Sequence, residues 1–198
     1  MKKSLSAVIT LLLITIVFAS VPTDAEAMIY DDTLRLHILA NSDSQEDQDL
    51  KLKIRDHILE KYSDNLKNVT DINEAQEKIE TLLSSIEEDA EKKIYELGYN
   101  YAVQCTLVKE WYETREYESF SLPAGYYTAL KIVIGSGEGK NWWCVMYPPL
   151  CLSLATEIAP KDDGILNYTK EETYLISSEG YSIKFKSLEI ISRLFSKK

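Results

Sequence analysis

The sequence predicts an α+β fold: one domain in which a mainly antiparallel sheet of about four to six strands carries two long helices on one face, with a short C-terminal helix. Three observations predict it. Runs of alternating polarity, the period of a half-buried strand, recur near residues 34–40, 99–110, 126–135, 142–148 and 181–186. Between the first two runs, apolar residues repeat every three and four positions over two long stretches, the period of amphipathic helices. At 198 residues, with 45% hydrophobic and 27% charged residues, the chain has an ordinary globular composition and enough length to bury a core.

The first 27 residues stand outside that fold. Lys2 and Lys3 precede an apolar run from Ala7 to Val21, and Ala25-Glu26-Ala27 closes the stretch with an A-x-A pattern, the order of a secretory signal. Cleavage after Ala27 is the expectation, leaving residues 28–198 as one secreted domain. The run sits at the short end of the ~20 residues that span a bilayer, so a retained N-terminal anchor is the alternative.

Thr33 to Ala40 alternates Leu34, Leu36 and Ile38 against Arg35 and His37 and reads as a strand. Asn41-Ser42-Asp43-Ser44 ends it with four turn and cap formers, and Ser44 with Asp47 has capping-box spacing. A helix comes next, from Gln45 to about Tyr62, its apolar stripe built on Leu50, Ile54 and Ile58 with charges on the other side. Thr70-Asp71, with Glu74, starts a second and longer helix that ends at Gly98. Tyr99 to Tyr117 reads as one or two strands, with Cys105 on the core side. Leu122 to Cys151 contributes two strand-like runs joined through Gly135, Gly137 and Gly139, read as a wide hairpin. Further along, Leu152–Glu157 suggests a short helix, Tyr181–Phe185 a strand and Ser187–Phe195 the C-terminal helix.

The net charge of −10 excludes electrostatic affinity for nucleic acid or anionic lipid, both of which need clustered Lys and Arg. The glycine run comes after a strand, as a phosphate loop would, but the next segment is again strand-like, so no helix N-terminus is available to face a phosphate. Two histidines and no C-x-x-C pair leave no basis for a zinc site, and no cofactor is expected. No pattern places a nucleophile beside a base and an orienting group, so a non-enzymatic protein is expected. Cys144 and Cys151, flanking Pro148-Pro149, have a spacing that a disulfide can close in an exported protein; two buried free thiols are the other reading. Trp142 and Trp143 are adjacent on a strand and must point to opposite faces. One therefore faces the helices, while the other faces a second layer, a ligand or a partner.

Two strings carry more identity than caps and core require: LRLHILANSDSQEDQDLKLKIRD at Leu34–Asp56 and LPAGYYTALKIVIGSGEGKNWWCVMYPPLC at Leu122–Cys151. They closely resemble the stage II sporulation protein R family of endospore-forming bacteria. The resemblance runs from about Thr33 to Phe195. Gln45, where proline is common, and the bulky Tyr126 are small departures that leave the most distinctive parts, HILANSDS and NWWCVMYPPLC, untouched.

The resemblance implies a signalling protein made in the forespore and secreted into the intermembrane space facing the mother cell. There it would activate a membrane-embedded aspartic protease, which cleaves an inactive sigma-factor precursor. It supplies no catalytic residues to transfer. From the residues themselves, His37, Asn41, Asp43, Trp142 and Trp143 are the partner-contact candidates. A secreted cell-wall hydrolase and a structural envelope protein are the alternatives from other classes. Neither strand order nor oligomeric state is legible.

Overall fold

The computed structural model describes residues 29–116 and 121–148, with isolated positions at 9, 10 and 14. In chain order the elements are β1 (Leu34–Leu39), α1 (Gln45–Tyr62), a 3-10 turn (Ser63–Leu66), α2 (Ile72–Glu96), β2 (Val103–Tyr112), β3 (Arg115–Glu116), β4 (Ser121–Leu122), β5 (Gly125–Ile134) and β6 (Asn141–Tyr147). They fall into two compact units: a larger one with Tyr30–Glu110 and the stretch from Tyr126 onward, and a smaller one with Trp111–Gly125. In the smaller unit β3 and β4 pair antiparallel, Arg115 opposite Leu122 and Glu116 opposite Ser121. The segments expected at 152–157, 181–186 and 187–195 lie outside the described residues.

Both long helices start where their caps direct. Ser44 accepts from Asp47 N at 3.2 Å, while Asp71 accepts from Asn73 N and Glu74 N. Glu74 reaches back past the cap to accept from Thr70 N at 3.1 Å, and pairs forward with Lys78 at 3.0 Å. Ile54, Ile58, Ile79 and Ile86 have no exposed surface and join Leu34, Leu36, Ile38, Leu130 and Ile132 in one core cluster. Each such side chain, fully buried, contributes roughly 1.5–3 kcal/mol of hydrophobic stabilisation. Both helices thus pack on one face of the sheet.

One strand pairing departs from expectation. The sheet has four strands in the order β2-β5-β1-β6, and it is mixed. β1 runs parallel to β5, Leu36 opposite Leu130, and antiparallel to β6, Leu36 opposite Cys144. The expected hairpin between β5 and β6 is therefore absent. Their connection, from Gly135 to Lys140, is a crossover that passes over the end of β1, which lies between them. The reason lies in β1 itself. Arg35 and His37, which alternation assigns to an exposed face, are 0% and 7% exposed, so the strand is buried on both faces and occupies the interior of the sheet. Local pairing of consecutive strands is the common outcome, and here it loses to that burial.

Two further features fix the sheet's edges. A register shift between Leu34 and Arg35 gives β6 one extra residue, Met146, so that both Met146 and Tyr147 join the core cluster. On β2, the amides of Val103 and Cys105 donate to Glu91 Oε1 (3.0 Å) and Glu87 Oε2 (2.7 Å) of α2. Helix carboxylates thereby occupy amides that an edge strand would otherwise offer to another chain.

Candidate functional site

The crossover is bolted to the turn between β1 and α1. Asn41 Oδ1 accepts from Ser136 N at 3.0 Å, Asn41 O accepts from Ser136 Oγ at 2.7 Å, and Asp43 Oδ1 accepts from Lys140 N at 2.7 Å. Gly139 N donates to Ala40 O at 2.9 Å. Such close passage demands glycine: a Cβ on Gly135 would land on the Asn41 amide, and one on Gly139 on the Ser42 carbonyl. From the helix side, Lys51 Nζ donates to Lys140 O at 2.8 Å.

Asp47 anchors this turn from beneath. Its Oδ2 accepts from Asn41 Nδ2 at 2.9 Å and from Ser42 Oγ at 2.5 Å, and its carboxylate also holds the Tyr101 hydroxyl. Burial pushes its carboxyl up, but the hydrogen bonds from Ser42, Asn41, Tyr101 and Ser44 together outweigh burial and hold it below the usual carboxylate range. Burial also lowers the Lys51 ammonium, an effect that nearby Asp43 opposes. Both Asp47 and Lys51 are buried, Asp47 beneath the turn whose Asn41 and Ser42 it holds and Lys51 beneath the crossover carbonyl of Lys140.

On the face of the sheet away from the helices, a polar line crosses all four strands. Lys131 Nζ on β5 donates to Glu110 Oε2 on β2 at 2.8 Å. Glu110 Oε1 lies 2.7 Å from His37 Nδ1 on β1, and His37 Nε2 lies 3.0 Å from Asn141 Oδ1 on β6. The imidazole also sits 5.6 Å from the Trp143 ring, tilted by 36°. Both ring nitrogens are engaged, so His37 is held as a fixed part of the face rather than poised as a general base. Further along the same face, Arg35, Ala129 and Val145 have no exposed surface, and the Arg35 guanidinium lies 5.0 Å over the Tyr127 ring. The expectation that only the helix-bearing face is buried fails there.

The five partner-contact candidates come together at one corner of the larger unit. Register places His37 opposite Trp143 and Ile38 opposite Trp142, while Asn41 and Asp43 lie immediately beyond the end of β1. As adjacent strand residues must, the tryptophans face opposite ways: Trp142 packs against the core cluster with the Arg55 guanidinium 4.8 Å from its ring centre, and Trp143 lies against His37. Both are half-buried. Sequence reasoning missed Glu110, Lys131, Asn141, Ser136 and Asp47. Only Asp47 left a signal, its capping-box position, and that signal explains its backbone amide rather than its carboxylate.

Cys105 is a free thiol within the core, and burial, with Glu87 and Glu91 nearby, pushes it up to about 12. Cys144 has no exposed surface, and Cys151 lies outside the described residues. Among the described residues, no three of His, Cys, Asp and Glu come together as a metal site requires.

Comparison with known proteins decides the family. The family model described as stage II sporulation protein R (spore_II_R) matches residues 30–157, which takes in the sheet, both helices and the crossover. The chain belongs to the stage II sporulation protein R family. Stage II sporulation protein R of Bacillus subtilis (strain 168) is 34% identical over 188 residues, covering 85% of this chain and 84% of the relative. No solved structure matches. Membership gives the chain a role in sporulation, and the matched region contains all five contact candidates.

Proposed function

We propose that this member of the stage II sporulation protein R family is a secreted signal of endospore formation. It is released from the forespore after cleavage following Ala27 and activates a membrane-embedded aspartic protease of the mother cell. The protease then cleaves an inactive sigma-factor precursor. The signal does no catalysis of its own. It acts by binding the protease's extracytoplasmic part and favouring its active state, since a ligand shifts an equilibrium only by binding one state more tightly.

The observation that carries this reading is the convergence of His37, Asn41, Asp43, Trp142 and Trp143 on one corner, with a half-buried tryptophan on each side of β6. Aromatic anchors in a polar surround are the composition of interface hot spots. Within the corner, Asn41 and Asp43 shape the surface through the crossover, while Trp143, backed by His37, supplies contact area. The Cys144–Cys151 bridge belongs to the same proposal: Cys144 is buried, and Cys151 follows it across Pro148-Pro149 at a spacing that a disulfide can close.

The test is co-expression of this chain with the protease and the precursor in a non-sporulating host, scoring precursor cleavage. Cleavage that needs the chain and fails with Trp142→Ala plus Trp143→Ala, in a variant still secreted and folded, is expected. Full cleavage by that variant removes the aromatic contact, and cleavage without the chain removes the signalling role. Release of peptidoglycan fragments by the purified protein would favour a hydrolase instead.

A further inference from the structure

The C-terminal turns of α2 and the segment leading into β2 enclose an open cleft of about 630 Å³. One wall is the helix, with Glu88, Glu91, Lys92 and Tyr95. The other is formed by Tyr99 and Tyr101, alternate residues of an extended segment, which present their rings on the same side, stacked with centroids 5.9 Å apart and planes 27° apart. Tyr95 is 77% exposed, the most exposed large hydrophobic side chain among the described residues. Glu88, Lys92 and Tyr95 make no side-chain hydrogen bond or ion pair among the described residues. Glu91 Oε1 accepts from Val103 N at 3.0 Å, which fixes one carboxylate against the cleft.

We propose that this cleft binds an arginine side chain of a protein partner. Tyrosine faces carry negative potential and attract a cation within about 6 Å of the ring centre. Two carboxylates against one ammonium reinforce the same sign, which excludes phosphate and carboxylate ligands. Arginine fits better than lysine because its planar, weakly hydrated guanidinium stacks on rings and pairs with carboxylates through two parallel hydrogen bonds. An open cleft, wider than one side chain, suits a residue carried on a chain rather than a free small cation. Exposed Tyr95 becomes buried only when such a segment lies across it. None of these residues belongs to the five at the corner of the sheet, so the cleft is a second contact surface.

The measurement is amide chemical-shift titration of the isotope-labelled protein with acetyl-Gly-Arg-Gly-amide, alongside its citrulline and lysine counterparts. Saturable shifts confined to residues around 88–102 are expected with the arginine peptide, weaker ones with lysine, and none with citrulline, which keeps the shape and loses the charge. Glu88→Gln and Tyr95→Ala, both at solvent-facing positions, should each weaken binding roughly two- to fivefold, and Lys92→Gln should tighten it by a similar factor. Equal shifts with citrulline, shifts centred elsewhere, or affinities unchanged in Glu88→Gln and Tyr95→Ala would overturn the proposal. No protease is present in this titration, so its outcome leaves the signalling proposal standing or falling on its own test.

Discussion

Replacing Asn41 with alanine separates a latch from a mere surface residue. The side chain donates to the Asp47 carboxylate at 2.9 Å and accepts from Ser136 N at 3.0 Å. The first bond reaches a charged group that is only 5% exposed, a class worth about 1.5–3 kcal/mol. The second leaves an amide that water can reach, so its loss costs about 0.5 kcal/mol. Asn41→Ala should therefore destabilise the protein by about 2–3 kcal/mol, lowering the urea midpoint by about 1 M at unchanged slope. Tryptophan fluorescence is a suitable probe, because Trp142 and Trp143 adjoin the crossover. A double-mutant cycle with Asp47→Ala should return a coupling of at least ~1 kcal/mol. A loss under about 0.5 kcal/mol with no coupling would show that Asn41 does not hold the crossover, and would restore it as a residue in surplus of the fold's needs.

Three other outcomes rest on the same geometry. Gly139→Ala should cost ~2 kcal/mol or more by steric conflict with the Ser42 carbonyl, measured in the same urea assay, whereas Gly98→Ala meets no neighbouring atom and is limited to the strain of a left-handed φ of 87°. Asp47 is held below its ordinary value of 3.8, so its ionised form favours folding; that contribution is complete above the unfolded pKa and is lost as pH falls through the folded one. Asp47→Asn should therefore lower stability at pH 7 and flatten its decline below about pH 4, and an acid limb identical to that of the unsubstituted protein would refute the assignment. Cys105, with its thiol pushed up to about 12, should react with a thiol reagent at about pH 8 only on unfolding, and native-state labelling faster than global opening would contradict its burial.

The helices were legible because each cap and stripe is local. Ser44 with Asp47, Asp71 with Glu74, and the Ile54–Ile58 and Ile79–Ile86 repeats act within a few residues of one another, and the boundaries fall where they indicate. Cys105 and the opposed tryptophans were also legible, since a period of two fixes which face each residue takes. The beginning of β2 was not. Tyr99 and Tyr101 alternate as strand residues do, yet they precede the strand and form the cleft wall.

By itself, the sequence determined the fold class, the two helices, which strand residues face the helices, and the family. All of these come from local periodicity, caps and the identity of long strings. Tertiary structure alone decided that β1 lies between β5 and β6, that the glycines serve a crossover rather than a hairpin, and that Glu110, Lys131 and Asn141 align with His37. The reason is physical: the His37 pairings join residues 73 and 104 positions apart, and they are selected by the burial of Arg35 and His37 on a second face, which alternation along a single strand cannot reveal.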